Sequence, residues 1–213
     1  MSSESVPLSG RRAEAARNNS RILESARAVF VANPAAPISA VAEHAGVGIS
    51  ALYRRYPSKE DLLRTLCADG LRLYLEAVEA AVDAQGDPWA AFTTFMERIV
   101  DANSLALTVK LAGTFTPTEE LYRDSERGQR LNQQLVDRAK AAGVLREDID
   151  VNDLTFIFEQ LSTVRIGDEA RTIALRKRYL ALFLEAMHVG GGSRPLPGPA
   201  PTWREVGERW EPK

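Results

Sequence analysis

Five helix breakers fall between residues 34 and 57 of this chain: Pro34, Pro37, Gly46, Gly48 and Pro57. Proline lacks an amide donor and disfavours helix at the residue before it, while glycine readily ends one. The segments left between them, Ile38 to Ala45 and Ile49 to Tyr56, are eight residues each. Helices that short do not persist alone in water, so they must pack on a neighbour. A neighbour is at hand on each side. Ile22, Ala26, Val29 and Phe30 fall at i, i+4, i+7 and i+8, one apolar stripe that ends at Asn33-Pro34. Beyond Pro57, Ser58-Lys-Glu-Asp61 reads as a capping box opening a long helix through Leu62, Leu63, Leu66, Tyr74 and Val78.

The same punctuation continues downstream. Asp87-Pro88 is a capping acid with proline at the first helical position. Thr116-Pro-Thr-Glu119 reads as a second capping box, with Gly143 closing the helix it begins. Residues 152–164 and 169–188 read as two further helices, followed by the linker GGGSRPLPGPAP and a short one-faced helix in TWREVGERW. No sustained period-2 alternation and no internal repeat accompanies these signals. The expectation is an all-α chain. Its divisions are a head at 1–66, a larger helical body at 67–189 and a tail at 190–213.

Two short helices joined by a glycine turn make a helix-turn-helix, whose second helix lies in the DNA major groove. Ile38, Val41, Ala42 and Ala45 would pack the first short helix, Val47 would bury between the two, and Leu52 and Tyr56 would hold the second. Gly48, Ile49, Ser50, Tyr53, Arg54 and Arg55 are then left to face outward. Small Gly48 and Ser50 let the backbone approach closely. Tyr53 and Arg55 suit phosphate oxygens, and Arg54 suits a bidentate bond to guanine. Lys59 places charge on the first turn of the next helix, where a phosphate would sit. Arg11, Arg12 and Arg17 would extend these contacts as a leading arm. The bland alternative is a small bundle with a solvated arginine pair. Charge agrees with the first reading: residues 1–66 hold nine Lys/Arg against six Asp/Glu, or +3, whereas the rest holds 18 against 23, or −5.

At these residues the run ISAVAEHAGVGISALYRRYPSKEDLL resembles the DNA-binding region of the TetR family of transcriptional regulators. The shared features are Ala45-Gly-Val47, Leu52-Tyr53, Tyr56-Pro57 and Ser58-Lys-Glu-Asp-Leu-Leu63, with RILESARAVF fitting the family's first helix. The resemblance implies a homodimeric repressor. Three N-terminal helices would bind a palindromic operator, and a long helix would join them to a ligand-binding and dimerisation domain that a small-molecule effector controls. The chain departs from the family at two places. Pro37 stands where Ser or Thr often caps the second helix, leaving that phosphate contact to Ser39. Arg54-Arg55 stands where an aromatic or basic residue followed by His is frequent.

In the body, Trp89, Phe92, Phe95, Met96, Phe115 and Phe156 would line a pocket for a flat or greasy ligand, or form plain core. Lys110 and Arg165 would meet an anionic group, or snorkel at the surface. Phe158, Leu161, Ile173, Leu180, Phe183 and Leu184 are candidates for a dimer seam, with Arg171, Arg176, Lys177 and Arg178 on a solvated back. Gly70 is a flexure point of the long helix, or a glycine tolerated on an exposed turn. In the tail, Trp203, Val206 and Trp210 share one face that would dock on the body.

Other chemistries fail on spacing. Asp148-x-Asp150-x-Asn152 with Glu159 approaches a calcium loop but carries Asp153 where the sharp-turn glycine belongs, so these acids read as helix caps. His44 and His188 have no HExxH or cysteine partner, and no metal or cofactor is expected. Cys67 reads as a buried thiol in a reducing cytosol. No secretory signal and no run of roughly 20 apolar residues is present, so membrane insertion is not expected and a cytoplasmic location is. No catalytic arrangement can be nominated and the chain is not expected to be an enzyme. A helical enzyme or an adaptor retaining the head is the alternative.

Overall fold

The computed structural model describes residues 10–102, 111, 113–190 and 194–210, with backbone only for 10–16, 102 and 209. Its helices are α1 (Gly10–Ala32), α2 (Ile38–Ala45), α3 (Ile49–Arg55), α4 (Lys59–Asp83), α5 (Pro88–Ala102), α6 (Glu119–Ala141), α7 (Val151–Thr163), α8 (Glu169–Met187) and α9 (Trp203–Gly207), followed by a 3-10 turn at Glu208–Trp210. No strand occurs among the described residues. The nearest feature is a single antiparallel bridge between Leu145 and His188. No helix among them is long and apolar enough to cross a membrane.

The chain divides into two compact units, Met1–Leu66 and Cys67–Lys213, so the division falls inside α4. In the first, α1 buries Ile22, Ala26 and Phe30, α2 buries Ile38, Val41, Ala42 and Ala45, and α4 contributes Leu62, Leu63 and Leu66. The leading arginines Arg11, Arg12 and Arg17 lie within α1, where helix already runs from Gly10.

The second unit is a helical core in which α5 packs against α6, α7 and α8. Capping residues set the helix starts. The Asp87 carboxylate accepts the Trp89 amide at 3.0 Å, and the Asp150 and Asp153 side chains form a reciprocal box at the start of α7. Those two acids of the near-calcium pattern are therefore committed to a cap. The start of α6 departs from the expected box at Thr116: Thr118 is the cap, its hydroxyl accepting from the Leu121 amide. Capping there puts Glu119 and Glu120 in the first turn, where the helix dipole favours them. Gly143 ends α6 at φ +68°, a conformation that suits glycine.

Three expectations for the body change. Arg176 is not on a solvated back: it is 4% exposed, and its guanidinium donates to the Val164 carbonyl at 3.2 Å and the Ser162 carbonyl at 3.0 Å. It closes the C-terminal end of α7, whose last carbonyls have no intrahelical donor. Gly70 is buried rather than on an exposed turn. Phe158, Leu161, Leu180 and Leu184 lie in the subunit's own core. Cys67 is buried as expected, and desolvation pushes its thiol up to about 12.

The tail docks. Asp148 takes a bidentate pair of hydrogen bonds from Arg146 at 2.9 and 2.8 Å and also accepts the Leu196 amide at 2.9 Å. Arg146 in turn donates to the Arg194 carbonyl at 2.8 Å. Farther on, α9 starts in a Thr202–Glu205 capping box, Val206 is buried, and the Trp210 ring meets Phe115 edge-on at 6.2 Å. Trp203, expected on the docked face, is 40% exposed.

The Arg146 bonds hold the Asp148 carboxyl down to about 2, below its ordinary 3.8. A depressed folded-state pKa stabilises above the unfolded value and is lost on acidification, so the clasp is complete above about pH 4 and opens as pH falls through about 2. Asp148→Ala should open it at neutral pH. Faster proteolysis within 194–202 and a changed Trp210 emission, with the helical circular dichroism kept, would be the readout.

Candidate nucleic-acid interface

The head builds its outward surface from the turn inward. Gly46 sits at φ +63°, and its amide bonds back to the end of α2. The Ala45 carbonyl takes a 2.7 Å bond from Arg21 of α1. Val47 is only half-buried, short of the burial expected for it. Leu52 and Tyr56, fully or nearly fully buried, seat α3 on the head.

The opposite face of α3 stays outside. Gly48, Ile49, Ser50, Tyr53, Arg54 and Arg55 are all exposed, with Ile49 at 39% and Tyr53 at 47%. Gly48 caps the helix in an extended conformation, and no side chain bonds to the cap. The first amides of α3 therefore point outward without an intrahelical acceptor, the arrangement that receives an anion. A Cβ built on Gly48 would meet nothing within 4 Å, and its φ is ordinary. The head itself therefore places no steric demand for glycine there. Ser39 is likewise exposed, beside Pro37, which caps α2 with no side-chain bond.

The basic residues do not share one fate. Arg54 projects from the exposed face, whereas the Arg55 Nε donates to Asn19 Oδ1 at 3.2 Å, an oxygen that also accepts the Tyr56 hydroxyl at 2.7 Å. Lys59 departs from expectation. Its ammonium donates to the Pro34 carbonyl at 2.9 Å and lies 5.1 Å from the Phe30 ring centre, and the desolvation lowers its pKa. Just past α1 the backbone carbonyls lack helical partners, and Lys59 supplies one. Asn19 escaped the sequence reading because nothing local marks an asparagine in α1 as the partner of a side chain 36 residues later.

Residues 22–66 match the family model described as "Bacterial regulatory proteins, tetR family". Residues 87–189 match the model of the "Transcriptional regulator SbtR-like, C-terminal domain". The chain belongs to the TetR family. Among relatives, it is 30% identical over 123 residues to the HTH-type transcriptional repressor LfrR of Mycolicibacterium smegmatis. That match covers 58% of this chain and 65% of the relative, just under two thirds of its length. Among solved structures it is similar to the TetR-family regulator PfmR from Thermus thermophilus, at 22% identity and a TM-score of 0.57, over 77% of this chain and 97% of that one. It is also similar to LfrR in complex with proflavine, at 23% and 0.55, over 78% and 95%. At these identities the structural likeness is one of fold.

The body of this TetR-family chain places the six aromatic and sulfur candidates differently from a single open pocket. Phe92, Phe95 and Met96 are completely buried, following the i, i+3, i+4 spacing that turns them into the core. Trp89 stacks on Phe92 at 5.6 Å and meets His188 edge-on at 4.7 Å, Phe115 lies under Trp210, and Phe156 is half-buried. A groove of about 240 Å³ lies between α4 and α5, lined chiefly by alanines, and of the six only Phe95 reaches it. Lys110 lies outside the described residues, and Arg165 is exposed.

One polar group stands out within this core. The Asn132 amide of α6 bonds to the Tyr74 hydroxyl of α4 and leaves its own Oδ1 buried without a partner among the described residues. Tyr74 packs edge-on against Phe95 at 5.6 Å, and Phe95 against Phe158 at 6.1 Å. Turning the amide over would only exchange which end is unpaired. An unpaired buried group of this kind costs about 1–3 kcal/mol.

Gly48→Ala is the test of the uncapped α3 start. Its φ and the open space around it leave the fold's stability within about 1 kcal/mol of the original. Binding to DNA, measured by fluorescence anisotropy, should weaken by about tenfold because the added methyl keeps a phosphate from the amides.

Proposed function

We propose that this chain is a DNA-binding transcriptional regulator, a repressor released from a palindromic operator by a small-molecule effector. The observation that carries the reading is the exposed, uncapped face of α3 on a head matching the TetR model. Gly48, Ile49 and Ser50 bring backbone amides to a phosphate, Tyr53 adds a hydroxyl, Arg54 reads a base edge, and Ser39 reaches the neighbouring strand from α2. Lys59 leaves the contact list and becomes a brace of the head. A DNA partner puts the protein in the cytoplasm.

The effector would occupy the body, where Asn132, bonded to the Tyr74 hydroxyl, has an amide end with no partner among the described residues. A mostly apolar molecule with one hydrogen-bonding group fits that chemistry. Proflavine, held by the relative LfrR in its solved structure, is a suitable first probe. Helix α4 runs unbroken from Lys59 to Asp83, so it offers a covalent route by which binding in the body reaches the head.

Dimerisation would use a surface that the subunit's own core leaves open. Of the six seam candidates, Ile173 and Phe183 are partly exposed, whereas the other four are buried. Tyr179, Leu182 and Phe183 with Ala186 fall at i, i+3, i+4 and i+7 of α8, and Tyr179 and Leu182 are 42% and 59% exposed. This stripe, rather than Leu180 and Leu184, is the proposed seam. A two-fold dimer would set its two α3 helices about 34–36 Å apart, one turn of DNA.

Selection from a random duplex library, together with DNA from upstream of its own gene, should yield a palindromic site bound with a steep salt dependence. Arg54→Ala should relax selection at one position by about 1–3 kcal/mol. Enrichment of no sequence would overturn the regulator reading. Leu182→Glu should convert a dimer to a folded monomer in sedimentation, with binding to the full palindrome lost; a surviving dimer would move the seam elsewhere.

A further inference from the structure

We propose that Asn19 is a positioning residue for the DNA contact: it holds the Arg55 guanidinium by its inner N–H so that the outer pair faces a phosphate. The proposal rests on the DNA-binding reading and extends it to α1, upstream of the residues 22–66 that match the family model.

The geometry is specific. Asn19 Oδ1 has two lone pairs, and both are used: one by the Tyr56 hydroxyl at 2.7 Å, the other by Arg55 Nε at 3.2 Å. Tyr56 is 5% exposed and anchored in the head, so Asn19 is fixed from below while Arg55 is held from above. A guanidinium presents five N–H donors in a planar fork. With Nε engaged, its two terminal nitrogens, which make no hydrogen bond to any described residue, remain at the exposed end for an end-on bidentate contact. A free surface arginine must give up rotamer freedom on binding. This one has given up part of it beforehand.

The choice of an amide over a carboxylate supports the assignment. Aspartate at this place would bond Arg55 more strongly, yet it would cancel the charge that a phosphate needs and set a negative group toward the DNA. An amide orients the guanidinium and leaves its charge intact. A residue serving only the fold would gain from the carboxylate; a residue serving the contact would not.

The experiment uses the full-length protein and a duplex of about 30 base pairs selected by the wild type from random DNA, spanning two half-sites about one turn apart. Affinity is measured across a salt series, with melting temperatures, for Asn19→Ala, Asn19→Asp, Arg55→Ala, Tyr56→Phe and the Asn19→Ala/Arg55→Ala double variant. Arg55→Ala should weaken binding about tenfold and lower the slope of log K against log salt by about 1 per half-site. Asn19→Ala should lose about three- to tenfold, and nothing further in the Arg55→Ala background. Asn19→Asp should weaken binding while its melting temperature holds or rises. Tyr56→Phe should lower the melting temperature and leave the salt slope alone. Wild-type affinity in Asn19→Asp, or an Asn19→Ala loss that persists in full without Arg55, would overturn the proposal and leave Asn19 a support for Tyr56. A wild type that enriches no sequence would overturn the regulator reading itself, a result distinct from both.

Discussion

A seven-residue helix has no stability of its own, since its nucleation cost is never recovered by so few hydrogen bonds. α3 therefore exists only while something holds it, and the head is organised around that need. Leu52 and Tyr56 supply the apolar grip. Gly46 sets the angle at which the helix leaves α2, and the Arg21 bond to Ala45 closes the carbonyl end of α2 beside it. Because burial is concentrated on two side chains, the remaining residues of α3 are relieved of structural duty. Their identities are free to follow whatever they touch.

The cations show a related economy. Arg21, Lys59 and Arg176 each spend their charge on backbone carbonyls near helix ends, inside their own unit. None of the three pairs with a carboxylate in these contacts. Carbonyls there lack intrahelical donors, and a long cationic side chain reaches them while its stem covers apolar surface. A basic composition in the head is therefore an imperfect measure of what is available to a polyanion.

Helix existence was legible in the sequence because breakers and caps are local. Pro34, Pro37, Gly46 and Pro57 cut the head into its helices, and the Asp150 and Thr202 caps formed as their residue types demand. The outward set on α3 followed from the burial of Leu52 and Tyr56. What could not be read were partners: Lys59 meets a carbonyl 25 residues away, and Arg55 an amide 36 away. Thr116 and Thr118 flank one proline, and only folded geometry chooses between them. Core and seam were inseparable for the same reason. Leu180 and Leu182 lie two positions apart on one helix, and the first is buried while the second is open.

Arg54 and Arg55 bring these strands together. They are neighbours of identical chemistry, separated by about 100° around the α3 axis. That rotation turns Arg55 toward α1 and Asn19 and leaves Arg54 clear of it. A side chain braced against its own protein has few orientations left and suits a phosphate, whose position along DNA hardly varies with sequence. An unbraced one can sweep the groove and settle on the base whose edge fits it, gaining discrimination at the cost of more lost entropy. On the proposed reading, the pair would divide anchoring from reading within one helical turn. Asn19, the residue that holds one of the two and not the other, is on another helix.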